Sequence, residues 1–457
     1  MRGAALLGGV AVAVGASAVA LHPTAGLGIA VGIAAIAWVL SNSLNATLAF
    51  IIVLVLRPAD HFPALASMQP AKLIGLVAIL SLLITKLFHR DMRLSRAPHG
   101  KWLLALTVGV LLSSLMSTNP TASLDLFGDA FVKMLIMYGL LVHLVTTKAQ
   151  SVRLNLVLGL CTAGLALLAI YVRMSGLATI EGNRAAIVGL LGDPNDLALV
   201  LVIYVPLFIE LFMGDTGKRR FAWGLLLAIL VAGIFMTVSR GGALALIAAV
   251  AFSFYDRGRL GFRVLLAPTL VAVVIAMLVL AGWNDRSSGA FRAGQLDASA
   301  QGRLDTWSSG VRMTLHNPVF GVGFGQFPDN YESYAMSPVI WGEHDAHNSF
   351  IKASAETGLV GFVPFMALVL LTFRIGYRRR KAEVPEDSSI ERAVRRSLFP
   401  SMVGFCVAAF FLSQCWSWFL FILFAQAATM YEIWSLDAER SKAEDDVGVA
   451  RAYVSGR

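Results

Sequence analysis

The amino-acid sequence predicts an all-α, polytopic membrane protein with about 12–14 transmembrane helices. Of its 457 residues, 57% are hydrophobic and 14% are charged, whereas about 25% of the residues of soluble domains are charged. Its mean hydropathy is +0.72. The apolar residues gather in runs of the length that membrane-spanning helices require, and the basic residues fall mainly between particular pairs of runs.

Fourteen apolar runs are long enough to form helices. Several are shorter than the roughly 20 residues that a full span needs, so the expected count is 12–14. We expect the first run to be an uncleaved helix, although Arg2 and the small residues at its end also fit a cleavable signal peptide. The runs cover residues 4–20, 25–40, 44–57, 71–88, 102–117, 130–146, 154–171, 195–213, 221–238, 242–256, 263–282, 350–373, 397–413 and 415–434.

The charged residues support one orientation of these runs. When the N-terminus is placed in the cytoplasm and every run crosses once, 26 of the 37 Lys and Arg residues lie on the inner side, with 14 of the 28 Asp and Glu residues. Every outer loop is then poor in basic residues, as the positive-inside rule requires. The net charge of +9 therefore reflects topology, with both termini predicted in the cytoplasm, and implies no nucleic-acid partner.

The predicted spans divide the chain into four regions. Residues 1–282 hold transmembrane helices with short loops, and residues 283–349 form a large hydrophilic segment on the outer side. Residues 350–434 hold the C-terminal transmembrane helices, and residues 435–457 form a cytoplasmic tail. The outer segment is the largest stretch outside the predicted membrane, so we expect functional residues there.

An amphipathic helix is predicted inside the outer segment, over residues 300–315. Its residues Leu304, Trp307, Val311 and Leu315 are spaced i, i+3, i+7 and i+11, which places them on one helical face. A helix with one apolar face at the edge of a membrane protein typically lies along the membrane surface.

Two arginines fall next to the membrane on the predicted outer side. Arg240 lies in a short turn between two apolar runs, where an arginine costs about 2.5–3.5 kcal/mol on insertion scales and so normally has a partner. Gly241 and Gly242 would let an anionic ligand approach closely. Arg303 lies in the first turn of the amphipathic helix. The alternatives are a snorkelling side chain for Arg240 and a solvated one for Arg303.

Two histidines, His344 and His347, lie near the end of the outer segment, just before an apolar run. Their spacing lacks a third well-spaced ligand, so we predict no metal site. His347 precedes a helix start, where a neutral imidazole would be suited to act as a general base. Asn348, the next residue, is either a substrate contact or only the N-cap of the helix.

Three other outer-side cations are candidates for contact with an anionic ligand. They are Arg184, Lys133 and Arg312. For each, the alternative is snorkelling or solvation in a loop.

Several further motifs have structural explanations. The GVGFG sequence of residues 321–325 is similar to a phosphate-binding loop, but no Lys-Ser/Thr follows it, so we predict a turn. Asp193 and Asp196 surround a predicted helix start, which favours helix capping. The three cysteines all lie in apolar segments and suggest neither a disulfide framework nor a zinc site.

Taken together, four sequence motifs resemble the bacterial O-antigen ligase and polymerase superfamily. They are T-V-S-R-G-G at Arg240, G-R-L-D-T-W at Arg303, the GVGFG turn, and H-N-S-F at His347 followed by A-E-T-G-L-V-G. The resemblance covers roughly residues 195–371, and the H-N-S-F motif with its E-T-G continuation is the most specific of the four. The hydrophobic profile extends the resemblance to most of the chain.

The resemblance implies a GT-C-like glycosyltransferase in the bacterial inner membrane, with surface helices in a large periplasmic loop and an active site that faces the periplasm. The donor would be a glycan on undecaprenyl diphosphate, with no metal and no other cofactor. The acceptor would be a hydroxyl of lipid A-core, of a growing glycan or of another molecule. The family's arginines and histidine correspond to Arg240, Arg303 and His347 of this sequence.

The chemistry of these side chains agrees with that assignment. Guanidinium groups bind diphosphate oxygens bidentately, and His347 would accept the proton of the attacking acceptor hydroxyl. Direct displacement would invert the anomeric centre. The residues that we expect to contact substrate are Arg184, Lys133, Arg312, His344, Asn348 and Trp307.

Two alternatives remain open from the sequence. The first is a polysaccharide polymerase with the same chemistry and a different acceptor. The second is a small-solute transporter, a class that favours inverted repeats and ionisable groups at the membrane midplane. The few mid-span charges and the clustering of cations at one surface favour the transferase.

Overall fold

The structure of the protein is a computed structural model, and its described residues are almost entirely helical. It describes residues 36, 38–61, 65, 67–89, 95–176, 179–180, 184–187, 192–256, 298–336 and 345–435. The predicted runs 4–20 and 263–282, nearly all of 25–40 and residues 436–457 lie outside the described residues. The all-α prediction is confirmed.

Eleven of the fourteen predicted apolar runs coincide with described helices. In the described part of the chain, seven helical segments are long and apolar enough to cross a membrane, and two shorter helices are also apolar. The protein is therefore a polytopic membrane protein. The helices and strands are α1 (Ser43–Leu56), α2 (Pro58–His61), α3 (Pro70–His89), α4 (His99–Leu115), α5 (Pro120–Leu126), a π-helical turn (Phe127–Phe131), α6 (Val132–Leu144), α7 (Lys148–Ser175), β1 (Thr179–Ile180), β2 (Arg184–Ala185), α8 (Pro194–Gly214), α9 (Gly217–Met236), α10 (Arg240–Phe254), α11 (Ala298–His316), α12 (Phe327–Tyr334), α13 (Ser349–Lys381), α14 (Ser389–Ala409) and α15 (418–435).

The chain forms two compact units. The first includes the described residues up to 89 together with His143–Val145, and the second includes those from Ser95 onward apart from that short insertion. In the first unit α1 packs against α3. Ser43 Oγ lies 2.6 Å from Thr85 Oγ1 and also accepts a hydrogen bond from Ser81 Oγ at 2.9 Å. Small polar side chains commonly join apolar membrane helices in this way.

The second unit is built around α8. Most residues of this helix are buried, and it packs against α14, α9, α10 and α7. The helix α14 in turn contacts α10 and α13. Burial on every side explains why α8 is apolar around most of its circumference.

At one end of this unit, the carboxy-terminal ends of α8, α10 and α13 meet in a network of ion pairs. The Arg380 guanidinium group lies 3.0 Å from Glu210 and 2.8 Å from Asp256. Arg396 contacts the same two carboxylates at 3.2 and 3.1 Å. Because these residues come from the ends of three helices, α8, α10 and α13 must run in the same direction. Their amino-terminal ends therefore lie together at the opposite end.

The α13 helix is broken at Gly358, whose φ of 54° and ψ of −161° are not helical. The turn that carries the GVGFG sequence pairs with the backbone at this break. Val322 N donates to Ala355 O at 2.9 Å, and Leu359 N donates to Pro318 O at 2.8 Å. The glycine-rich turn thus satisfies backbone groups that the break exposes, as buried backbone requires.

We expect Gly358→Ala to destabilise the protein by about 2 kcal/mol or more. An alanine there would adopt a left-handed conformation, and its Cβ would contact the Val319 carbonyl group too closely. The measurement is thermal unfolding of the detergent-solubilised protein. Gly302→Ala is the control, because no atom lies within 4 Å of a Cβ at that helical position. Equal melting temperatures for the two variants would contradict the prediction.

The ion-pair network also predicts a dependence of stability on pH. Burial alone would raise the pKa of Asp256, but the guanidinium groups of Arg380 and Arg396 outweigh it and hold the pKa below its usual range. A lowered folded-state pKa stabilises the fold above the unfolded-state pKa of about 4, and this contribution is lost as pH falls through the folded-state pKa.

We therefore expect Asp256→Asn to lower the free energy of unfolding by about 1–3 kcal/mol at pH 7. The loss should shrink as the pH falls below about 4, where the unfolded state binds a proton first, and should vanish once the pH is below the lowered pKa of Asp256 in the folded state. Denaturant unfolding at both pH values measures the effect. Asp125→Asn, which changes an exposed carboxylate, is the control. A difference that stays constant with pH would contradict this account.

Candidate functional site

A short loop of residues 410–414, which follows α14, contacts the three chain segments that carry the predicted catalytic residues. The Cζ atom of Arg303 lies 6.0 Å from the centre of the Phe411 ring. A methyl group at Gly241, next to Arg240, would lie 3.5 Å from Phe411 Cβ. The backbone N–H of His347 donates to Ser413 Oγ at 2.9 Å. Segments more than 40 residues apart in sequence therefore meet at this 410–414 loop.

His347 has a left-handed backbone conformation, with φ of 46°. This is uncommon for a residue other than glycine and persists only where the surroundings enforce it. The hydroxyl of Ser349 fixes the segment, because it donates to Leu412 O at 2.6 Å and accepts from Gln414 N at 2.8 Å. The imidazole is thus carried by a tightly held, strained backbone.

The residues around His347 make further fixed contacts. Thr306, on α11, donates from Oγ1 to Ala346 O at 3.3 Å, which ties the helix of Arg303 to the histidine segment. Asn348 is the N-cap of α13, and its side chain accepts from Phe350 N and Ile351 N at 2.9 and 3.1 Å. The capping alternative for Asn348 is therefore observed.

Arg240 is the first residue of α10, and its turn is also strained. Val238 has φ of 49°, which is rare for a β-branched residue. Ser239 caps the helix by accepting from Gly242 N at 3.0 Å. A helix N-terminus carries partial positive charge, so Arg240 and the amides beside it favour an anion.

Arg184 supports the turn that precedes Arg240. Its buried guanidinium group donates to Thr237 O at 3.0 Å and to Asn195 Oδ1 at 2.8 Å. The same Asn195 oxygen accepts from Ser239 Oγ at 2.8 Å. These bonds give Arg184 a role in positioning the turn, and its contact with substrate stays a prediction.

A charged pair that sequence reasoning missed lies next to His347. Lys352 Nζ contacts both oxygens of Asp345 at 2.8 and 2.7 Å, and Asp345 also accepts from Ala346 N at 2.7 Å. Glu356, which is fully buried, lies 3.7 Å from Lys352 and accepts from Trp416 Nε1 at 2.7 Å. In the sequence, the available signal was the opposite charges of Lys352 and Glu356, four residues apart at the start of an apolar helix.

The two aspartates at the start of α8 differ in their surroundings. Asp193 caps the helix, because its side chain accepts from Asn195 N at 2.7 Å. Asp196 instead forms a side-chain hydrogen bond with Gln414, and the charges that act on its carboxylate are those of Asp193, Asp345 and Lys352. The capping interpretation therefore fits Asp193, whereas Asp196 belongs to the charged surroundings of the 410–414 loop.

Cys415 follows the loop and is buried. Burial raises the pKa of its thiol well above the usual value, and the nearby charge of Glu356 adds to the effect. A thiol that stays protonated is a poor nucleophile, so the geometry gives Cys415 a packing role.

The remaining predicted contacts are more dispersed. Trp307 packs edge-on against Phe410 with ring centres 5.3 Å apart. Lys133 forms an ion pair with Asp129, one turn earlier in the chain. Arg312 lies farther along α11 than Arg303, in a separate cleft.

His344 lies outside the described residues, so its predicted substrate contact stays a prediction. Among the residues that the structure describes, no group of three His, Cys, Asp or Glu side chains is arranged to hold a metal ion.

Comparison with known proteins matches the part of the chain that carries this site. Residues 225–366 fit a family model described as O-antigen ligase, and Arg240, Arg303 and His347 all lie inside the match. The resemblance to the O-antigen ligase and polymerase superfamily is confirmed.

The chain is also similar to a curated protein, the exopolysaccharide production protein ExoQ of Rhizobium meliloti (strain 1021). The two are 28% identical over 123 residues, which cover 25% of this chain and 27% of the relative. The chain thus spans about a quarter of the relative's length.

We expect Lys352→Met to destabilise the protein more than Lys133→Met. The first substitution leaves the carboxylates of Asp345 and Glu356 without their cation in a largely buried setting, which is costly. The second removes an ion pair that lies at the surface, where such pairs contribute about 0–1 kcal/mol.

Thermal unfolding compares the two variants, and hydrogen exchange of residues 345–349 reports local release of the histidine segment. Faster exchange there in Lys352→Met alone is expected. Unchanged exchange in that variant would show that the Asp345 pair does not hold the segment.

Proposed function

We propose that this protein is a glycosyltransferase that moves a glycan from undecaprenyl diphosphate to an acceptor hydroxyl on the periplasmic face of the bacterial inner membrane. The observation that supports this most strongly is the contact of the 410–414 loop with the segments of Arg240, Arg303 and His347. The family match over the same region adds support.

The two arginines are suited to bind the diphosphate of the donor. Arg240 lies at the N-terminus of α10, where the helix dipole adds to its charge, and Gly241 beside it offers little steric hindrance. Arg303 reaches the same loop from α11. Two guanidinium groups neutralise the charge that develops on the departing diphosphate, so the leaving group needs no proton.

His347 is suited to be the general base. In the proposed step the acceptor oxygen forms a bond to the anomeric carbon while the bond from that carbon to the diphosphate oxygen breaks. The acceptor proton passes to the imidazole of His347, and undecaprenyl diphosphate leaves with the electron pair. Attack opposite the leaving group inverts the anomeric centre.

The distribution of charge supports the proposed orientation. The ion-pair network of Arg380, Arg396 and their carboxylates lies at the end of the second unit opposite to Arg240 and His347. Basic residues are concentrated at that end, in the last turn of α13 (378–381) and the first half of α14 (392–396), which favours the cytoplasmic side. The candidate site would then face the periplasm.

A polymerase is the second candidate. The similar region of a protein named for exopolysaccharide production favours a growing glycan as acceptor. The chemistry at His347 and the arginines would be the same, and only the identity of the acceptor would differ.

The decisive experiment is transfer by the purified protein, in detergent without any gradient, from lipid-linked oligosaccharide to candidate acceptors. We expect His347→Ala to lower turnover by about 10²–10⁴-fold while donor affinity changes little. Arg240→Ala and Arg303→Ala should weaken donor binding by about 10–150-fold, the equivalent of a charged hydrogen bond of 1.5–3 kcal/mol.

Arg220→Ala is the matched control, because Arg220 stacks on Phe212 near the start of α9. It should leave transfer and donor binding unchanged. Near-normal turnover in His347→Ala would refute the assignment of the base. On a gel, one added block indicates ligation and a ladder indicates polymerisation, whereas solute uptake without any transfer would favour a transporter.

A further inference from the structure

A polar cleft lies between the C-terminal half of α11 and the short helix α12. Its volume is about 520 Å³, which is within the range of small-molecule sites. It is distinct from the residues around the 410–414 loop. The residues that line it are Arg312, His316, Asn330, Ser333, Tyr334 and Ala335.

The side chain of Asn330 is fixed in one orientation. Its amide nitrogen donates to Thr118 Oγ1 at 2.9 Å and to Gln326 O at 2.8 Å. Because both amide hydrogens are used, Oδ1 is the atom with which this largely buried residue can meet a ligand, and it can only accept.

Two neighbouring groups are also fixed by hydrogen bonds. His316 Nδ1 donates to Arg312 O at 2.9 Å, so Nε2 of the neutral ring is an acceptor. The Tyr334 hydroxyl accepts from Asn317 Nδ2 at 2.9 Å, which leaves its own proton for donation. The His316 and Tyr334 rings meet edge-on with centres 5.6 Å apart.

The remaining polar groups complete a mixed set. Arg312 is anchored by one long bond, from Nη1 to Tyr334 O at 3.4 Å, and a guanidinium group has further N–H donors. The Ser333 hydroxyl can both donate and accept. The cleft therefore offers acceptors on Asn330 and His316 together with donors on Arg312 and Tyr334.

Such a set suits a neutral polyhydroxyl ligand better than an anion. A sugar hydroxyl both donates and accepts, so it can pair with either kind of group. A phosphate or diphosphate needs donors throughout, and the acceptors of Asn330 and His316 would repel it. Asp329 and Glu332, which are exposed on α12, add negative charge nearby.

The position of the cleft along α11 separates it from the proposed diphosphate site. Arg303 and His316 are thirteen residues apart on one helix, or roughly 20 Å at 1.5 Å per residue. A ligand bound in the cleft and a diphosphate bound at Arg303 would therefore be different parts of one long molecule, or two molecules.

We propose that this cleft is a glycan subsite, which binds a neutral sugar unit of the transferred or accepting chain at a distance from the reacting bond. The identity of the chain rests on the proposed function, whereas the sugar-binding chemistry follows from the cleft itself. Such a subsite would favour long glycans over short ones, since only a long chain reaches both places.

The first test measures binding by the full-length protein in lipid nanodiscs. The probe is the neutral oligosaccharide that mild acid releases from the host cell's own lipid-linked glycans. Its affinity for the protein is measured by isothermal titration calorimetry. We expect affinity to fall about 10-fold in His316→Ala and in Tyr334→Phe, and to stay unchanged in Glu332→Ala, which alters the same helix outside the cleft. Tyr334→Phe keeps the ring, so it separates loss of the hydroxyl from loss of packing.

Competition identifies the class of ligand. Inorganic pyrophosphate should not displace the oligosaccharide from the cleft. Displacement by pyrophosphate, or wild-type affinity in both cleft variants, would overturn the proposal.

The second test compares kcat/KM for lipid-linked donors with one sugar and with several repeats. In the cleft variants kcat/KM should fall about 10-fold with the long donor and stay unchanged with the short one. In His347→Ala kcat/KM should fall with both donors. Oligosaccharide binding that depends on the cleft, without any transfer by the wild type, would refute the proposed function alone. If the wild type transfers glycan and the cleft variants lose the same factor in kcat/KM with both donors, the subsite alone is refuted.

Discussion

The candidate site depends on the hydrogen bonds that attach the 410–414 loop to the start of α13. The Ser349 hydroxyl donates to Leu412 O and accepts from Gln414 N, and Ser413 accepts from the backbone of His347. These bonds hold His347 in a left-handed conformation that its own preferences disfavour. The aromatic residues at the start of the loop then contact the helices of Arg240 and Arg303, so the position of one loop fixes three separate segments.

A parallel arrangement of helices makes this loop possible. Because α8, α10 and α13 run in the same direction, their N-termini and the loop after α14 lie at one end, while the ion pairs of Arg380 lie at the other. Helix N-termini that point toward one region favour a negatively charged ligand there. At the opposite end, arginines such as Arg380 and Arg395 form ion pairs with carboxylates of Glu210, Asp256 and Asp387.

The broken helix α13 connects the site to the proposed glycan subsite. The glycine-rich turn after α11 pairs with the backbone at Gly358, and Glu356 at this break also accepts from Trp416. The turn leads directly into α12, which forms one wall of the cleft. The proposed reaction site and the proposed glycan subsite would therefore be joined through the contacts between α13, the glycine-rich turn and α12.

The sequence by itself determined the spans, because the length and hydropathy of an apolar run are local properties that a membrane helix must satisfy. It also singled out Arg240, Arg303 and His347, because ionisable side chains at the edge of an apolar run are costly to place there and are often functional. Only the tertiary structure decided how Arg184, Lys352 and Asp196 are used, because their partners lie elsewhere in the chain or on a turn whose path the sequence does not reveal. The cleft at His316 was invisible for the same reason, since it exists only where two helices and a hydrogen-bonded turn pack together.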